Sequence, residues 1–140
     1  MIYFIYNERK PSRIKIKKLK TTITKIFEKA NKNIGTVNYI FCSDDYLLNL
    51  NKQFLNHDTY TDIITFDLSD SKSTVDAEVY ISLDRVKNNS VFLKTTLESE
   101  TARVILHGAL HLCGYKDKTK AAKITMRAKE EEFLRLYYKP

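Results

Sequence analysis

Chain breakers are scarce in this protein: three glycines and two prolines among 140 residues. So few leave no Gly/Pro-rich linker, internal repeat or low-complexity tract, and the chain reads as one domain over residues 1–140. Long apolar runs are missing as well. Nothing approaches the roughly 20 apolar residues of a membrane-spanning helix, so no membrane partner is expected. The stretch Met1-Ile-Tyr-Phe-Ile-Tyr6 is apolar but short, and no basic segment precedes it. It reads as a first strand rather than a secretory signal. Cysteine occurs only as Cys42 and Cys113. The two could pair, but without an export signal they are expected to stay reduced in the cytoplasm. Acidic residues are outnumbered, 17 against 24 Lys and Arg, which leaves a formal net charge of +7. That excess fits a polyanionic partner such as nucleic acid, or simply a solvated lysine-rich surface.

What is present is enough for a globular domain. Apolar residues make up 43%, and a chain of this length buries a core without disulfide or metal staples. Leu19, Ile23, Ile26, Phe27, Ala30 and Ile34 fall at helical spacing, with lysines on the other face, which predicts a helix from Leu19 to Ile34 stopped by Gly35. Thr36–Cys42, Thr61–Asp67 and Ala77–Leu83 are rich in β-branched and aromatic residues and read as strands, the last two joined through the polar stretch Ser69–Asp76. Ser43 is placed to cap a helix that opens with Asp44 and Asp45. Asp84 could cap a short helix through Phe92, and Thr95 with Glu98 forms a candidate capping box. The helix that follows carries Leu97, Val104, Ile105, Leu106, Leu110 and Leu112, so apolar residues nearly encircle it and it should be central and buried. Thr119 is expected to cap a last helix. Strands mixed with helices give an α+β class, one small sheet covered by helices.

The buried helix contains two of the three histidines, in His107-Gly-Ala-Leu-His111-Leu-Cys-Gly114-Tyr-Lys-Asp117. Residues four apart lie on one helix face, their Cβ atoms about 5–6 Å from each other. Two imidazoles so placed can share one cation, with bonds of about 2.0–2.1 Å to zinc. A catalytic site needs a third protein ligand and an open position. In a continuing helix Asp117 would rotate away from His111 by about 240° and climb about 9 Å. Gly114 is suited to stop the helix, and a chain reversal returns Asp117 toward the histidines. The plain alternative is a hydrogen-bonded histidine pair in the core. Gly108 occupies the position where zinc proteases of this spacing carry a general-base glutamate, which argues against a protease of that type.

These residues resemble the YbeY family, rRNA maturation factors described as single-strand-specific endoribonucleases, whose pattern is H-G-x-L-H-L-x-G-Y-D-H. Two weaker matches lie upstream in family order. Asn51-Lys-Gln-Phe54 leads to Tyr60-Thr-Asp-Ile-Ile-Thr-Phe66, similar to the family's P-T-D-V-L-S-F segment, and Ala77-Glu-Val-Tyr-Ile-Ser82 is similar to G-D-I-x-I-S. The resemblance implies a mostly parallel mixed sheet of about four strands. It implies a zinc-dependent endoribonuclease (a hydrolase) acting in rRNA maturation and ribosome quality control. The partners it implies are single-stranded regions of rRNA precursors and the ribosome or its small subunit, with no DNA expected. One divalent metal per chain, most simply Zn2+, is expected on His107, His111 and Asp117, with His107 also counted as catalytic.

Two departures from the pattern matter. Asp117 replaces the family's third histidine, which lowers the net charge of a divalent site from +2 to +1, weakens its Lewis acidity and lets another transition metal compete. Leu55 stands where most members carry an arginine thought to aid catalysis, and it cannot contact phosphate. A non-catalytic RNA-binding ribosome-assembly factor with a structural metal is therefore the runner-up, followed by another zinc-dependent hydrolase. Cys113 and Met126 read as core, His57 as surface, and Glu130, Glu131 and Glu132 as a solvated helix face. Asp62 reads either as a partner behind the site or as a cap on its strand.

Overall fold

In a computed structural model describing residues 1–140, the chain alternates between strands and helices. The elements are β1 (Ile2–Tyr6), α1 (Ile16–Lys29), β2 (Asn33–Cys42), α2 (Asp44–Leu55), β3 (Ile63–Asp67), β4 (Thr74–Ser82), α3 (Leu83–Phe92), α4 (Leu97–Leu112) and α5 (Lys120–Tyr138). The sheet order is β1-β2-β4-β3. β1 and β4 both run parallel to β2, and β3 runs antiparallel to β4. Parallel neighbours need a crossover connection, and α1 supplies it between β1 and β2. β3 and β4 need only a hairpin, which residues 68–73, polar apart from Leu68, make. The α+β class with a mostly parallel, four-stranded mixed sheet is what the sequence predicts. No helix is long and apolar enough to cross a membrane.

The side-chain alternation of the strands sorts the sheet into two faces. Val37, Tyr39, Phe41, Ala77, Val79 and Ile81 join a 23-residue core cluster with residues of α1, α4 and α5. Cys42 and Ile64 turn to the other face and meet Leu47 of α2. α4 is buried on nearly all sides, from Ala102 to Leu112. It lies close on the sheet at Gly108, where an added Cβ would come within 3.0 Å of Ile63 Cδ1 and 3.1 Å of Val79 Cγ1. This close approach sets the height of the two histidines above the β3 edge.

Several local expectations are corrected. α1 ends at Lys29, not at Ile34. Asn31, at φ 56°, turns the chain, and Ile34 and Gly35 already belong to β2. Gly35 sits at a register irregularity between Ile34 and Val37, where a Cβ would collide with the Asp76 carboxylate that accepts from the Thr36 N–H (2.8 Å). It is there for a close backbone approach, not a helix stop. Ser82, not Asp84, caps α3, accepting from Arg85 N–H at 3.1 Å; Asp84 instead pairs with Arg9. Thr96, not Thr95, caps α4, and Glu98 accepts from the Tyr137 hydroxyl rather than closing a capping box. Ser43 and Thr119 cap α2 and α5 as expected.

Candidate metal centre and its cleft

The end of α4 builds the site. Gly114 adopts φ +99°, a left-handed conformation that costs glycine little. Its N–H donates to the His111 carbonyl (3.0 Å), and the Tyr115 N–H donates to the Leu110 carbonyl (3.0 Å). These are the paired bonds of a Schellman turn, and they satisfy carbonyls the helix end leaves free. Tyr115 packs against the core behind the turn. The chain reverses, and Asp117 returns to the histidine face. Its Oδ2 lies 3.2 Å from His111 Nε2 and 3.4 Å from His107 Nε2.

Both imidazoles are held from behind. His111 Nδ1 is 2.9 Å from the Tyr115 carbonyl, which favours a proton on Nδ1, and its Nε2 faces the Asp117 carboxylate. His107 Nδ1 is 2.5 Å from Glu130 Oε2, which favours the same tautomer. The ligand atoms of His107, His111 and Asp117 all lie within 4.8 Å of one another. Two imidazole nitrogens and one carboxylate oxygen are a donor set suited to a divalent transition metal, so this group could hold such an ion.

Glu130 is the main correction. It reads as part of a solvated Glu130-Glu131-Glu132 face, yet it is only 2% exposed. Its Oε1 accepts from Arg103 (3.1 Å), and Arg103 also grips Glu100 through Nε (2.9 Å) and Nη2 (2.5 Å). Burial opposes ionisation of Glu130, but the His107 hydrogen bond and the Arg103 charge outweigh it and hold the carboxyl below its usual range. A signal was available in the sequence. Met126, Glu130, Phe133, Leu134 and Tyr137 share one face of α5, and all five are buried. Glu131 is exposed, and Glu132 pairs with Lys29 and Lys129.

A cleft of about 720 Å³ opens in front of the histidines. One wall is α4 and the turn after it. The other runs from Asn51 and Leu55 of α2 through Thr59 and Thr61 to Asp62 and β3. Lys118 is the one lysine or arginine in the lining. Lys123 and Arg127 flank His107 and Asp117 in a shallower depression. The lysines of α1 line neither. Leu55 is 42% exposed. His57 is exposed, and Lys52 pairs with Asp58 at 3.4 Å; neither lines the cleft. Asp62 bonds none of His107, His111 and Asp117 through its carboxylate. Its carbonyl accepts from Ser82 N–H (3.0 Å) beside the strand ladder, while its carboxylate takes Asn89 Nδ2 (3.4 Å). Burial pushes that carboxyl upward, against the opposing pull of Arg103 and His107. Met126 is core, and burial pushes the Cys113 thiol up to about 11.

An α+β sheet with a His-His-Asp group at the end of a buried helix is a metalloprotein-like arrangement, and comparison places it in a family. The family model described as Endoribonuclease YbeY matches residues 4–138, and the chain belongs to that family. Among curated relatives, the Endoribonuclease YbeY of Cytophaga hutchinsonii is 50% identical over 118 residues, covering 84% of this chain and 82% of that protein. That of Karelsulcia muelleri is 46% identical over 109 residues, 78% of this chain and 77% of its own. The solution structure of TM1509 from Thermotoga maritima matches with a TM-score of 0.71 at 29% identity, covering 99% of this chain and 89% of that one.

Proposed function

We propose that residues 1–140 form one cytoplasmic domain that cleaves single-stranded regions of ribosomal RNA precursors as a metal-dependent endoribonuclease. The observation that carries this reading is the pair of Nε2 atoms converging with Asp117 Oδ2 beside an open cleft. His107, His111 and Asp117 would hold one divalent ion, most simply Zn2+. When bound, the ion supplies charge neutralisation at phosphoryl oxygens and activation of the nucleophile. Lys118, Lys123 and Arg127 offer positive charge to the phosphate backbone beside the ligands. Asn51, Thr59 and Thr61 line the far wall together with the Asp62 carboxyl, which burial pushes upward from its usual range. The ribosome or its small subunit is the partner in this reading.

A second reading is favoured by Leu55. With a leucine where the resemblance places an arginine in most members, the protein would bind RNA as an assembly factor and keep the metal for structure. One experiment separates the two. An unstructured RNA and its duplex are incubated with metal-loaded and with chelator-stripped protein. Cleavage of the single strand by the loaded form alone is expected. Binding without cleavage at full metal occupancy would overturn the nuclease reading in favour of the assembly factor.

A further inference from the structure

The two histidines have different partners behind them. His111 Nδ1 meets a neutral backbone carbonyl, whereas His107 Nδ1 meets a carboxylate. That carboxylate belongs to another helix, 23 residues further along the chain. Glu100 and Glu130 are each 2% exposed, and both are tied to Arg103. Buried ions of this kind are seldom needed to hold two helices together, since apolar residues of similar size do so as well or better. The arrangement also exceeds what neutralisation requires. Arg103 Nε and Nη2 engage both oxygens of Glu100, and Nη1 fixes Oε1 of Glu130. Only Oε2 of Glu130 is left over, and it points at the ring nitrogen of His107 that faces away from Asp117.

We propose that Glu130, itself held by Arg103, is a positioning residue that keeps the proton of His107 on Nδ1 and presents its bare Nε2 to the metal. This rests on the metal-centre reading above. A carboxylate behind a ligating imidazole fixes ring orientation and makes the ligand more basic, and its loss typically weakens metal binding by about 10–100-fold. Glu130→Leu removes the acceptor at similar size and leaves Arg103 its two bonds to Glu100, so the helix pair keeps its packing. Glu130→Gln keeps one acceptor for His107 but turns an amide donor toward Arg103.

The test has two measurements. Zn2+ affinity is measured by competition with a chromophoric chelator for wild type, Glu130→Gln and Glu130→Leu. The expected order is wild type, then Gln, then Leu, with the Leu variant weaker by about 10–100-fold. Separately, nitrogen NMR of the metal-free wild type, followed upward in pH until the His107 ring carries a single proton, reads its tautomer without any variant having to fold. A proton on Nδ1 is expected. A proton on Nε2 overturns the proposal, as does a folded Leu variant with wild-type affinity. A wild type that takes up no metal overturns the metal centre and the positioning role together, and is told apart from the other failures by the empty wild-type titration.

Discussion

The two walls of the cleft are built on opposite terms. The wall formed by α4, its turn and α5 is fixed at nearly every polar atom. Both Nδ1 atoms, the Glu130 carboxylate and the terminal carbonyls of α4 have named partners. The facing wall is looser. Leu55 and Tyr60 are 42% and 50% exposed, and the segment between α2 and β3 is tied down by Asn51 Nδ2 donating to the Thr59 carbonyl (2.8 Å) and by Arg85 lying 5.0 Å over the Tyr60 ring. The difference matches the two tasks of the proposed function. An ion demands ligand atoms held within a few tenths of an ångström, whereas a polyanionic strand of variable sequence needs a surface that can adapt.

The largest effect should come from the fixed wall. Replacing both His107 and His111 by alanine is expected to abolish metal uptake, which elemental analysis of the purified protein would read, and to reduce cleavage to background. Stoichiometric metal in the double variant would show that the ligands are elsewhere. Next comes the packing beneath that wall. Leu110 is fully buried, so Leu110→Ala should cost about 2–5 kcal/mol. Leu55→Ala on the facing wall should stay within about 0.5 kcal/mol. Denaturant unfolding compares them, and equal losses would erase the contrast. A smaller, opposite effect is expected from Leu55→Arg. It adds a phosphate contact to the adaptable wall, so single-stranded RNA should bind more tightly and with a salt slope steeper by about 0.7. An unchanged slope would mean the strand does not pass over Leu55. The smallest shift should come from Asp117→His, which retains metal but raises the charge at the ion by one unit. Groups that ionise beside the ion should then do so at lower pH, moving the pH–rate profile toward acid. Coincident profiles from two fully loaded forms would remove the ion from the rate-limiting chemistry.

Most of the fixed wall was legible because its signals are local. Two histidines four apart and a glycine three beyond them determine a face and a stop, and Gly114 stops the helix as its position suggests. Where a signal depends on a distant residue, the sequence misleads. Gly35 resembles a helix stop but is required by Asp76, 41 positions away in a neighbouring strand. The stop for α1 is Asn31, one of the few residues besides glycine that tolerate positive φ. Glu130 was hidden by its two acidic neighbours, since composition suggests solvent where only the apolar stripe of α5 shows burial. Thr95 and Thr96 are equivalent as caps until the backbone chooses between them.

The Schellman turn also fixes how an ion would stabilise the chain. His107 and Asp117 are ten positions apart, so an ion joining them closes a very short loop. The ligands converge only in the folded turn, so the ion is released on unfolding and leaves the unfolded chain unrestricted. A bound ion therefore acts as a ligand of the native state, not as a cross-link. Its contribution should rise by about 1.4 kcal/mol for each tenfold excess of free ion over the dissociation constant. The melting temperature should climb steadily with metal concentration instead of reaching a plateau at one equivalent.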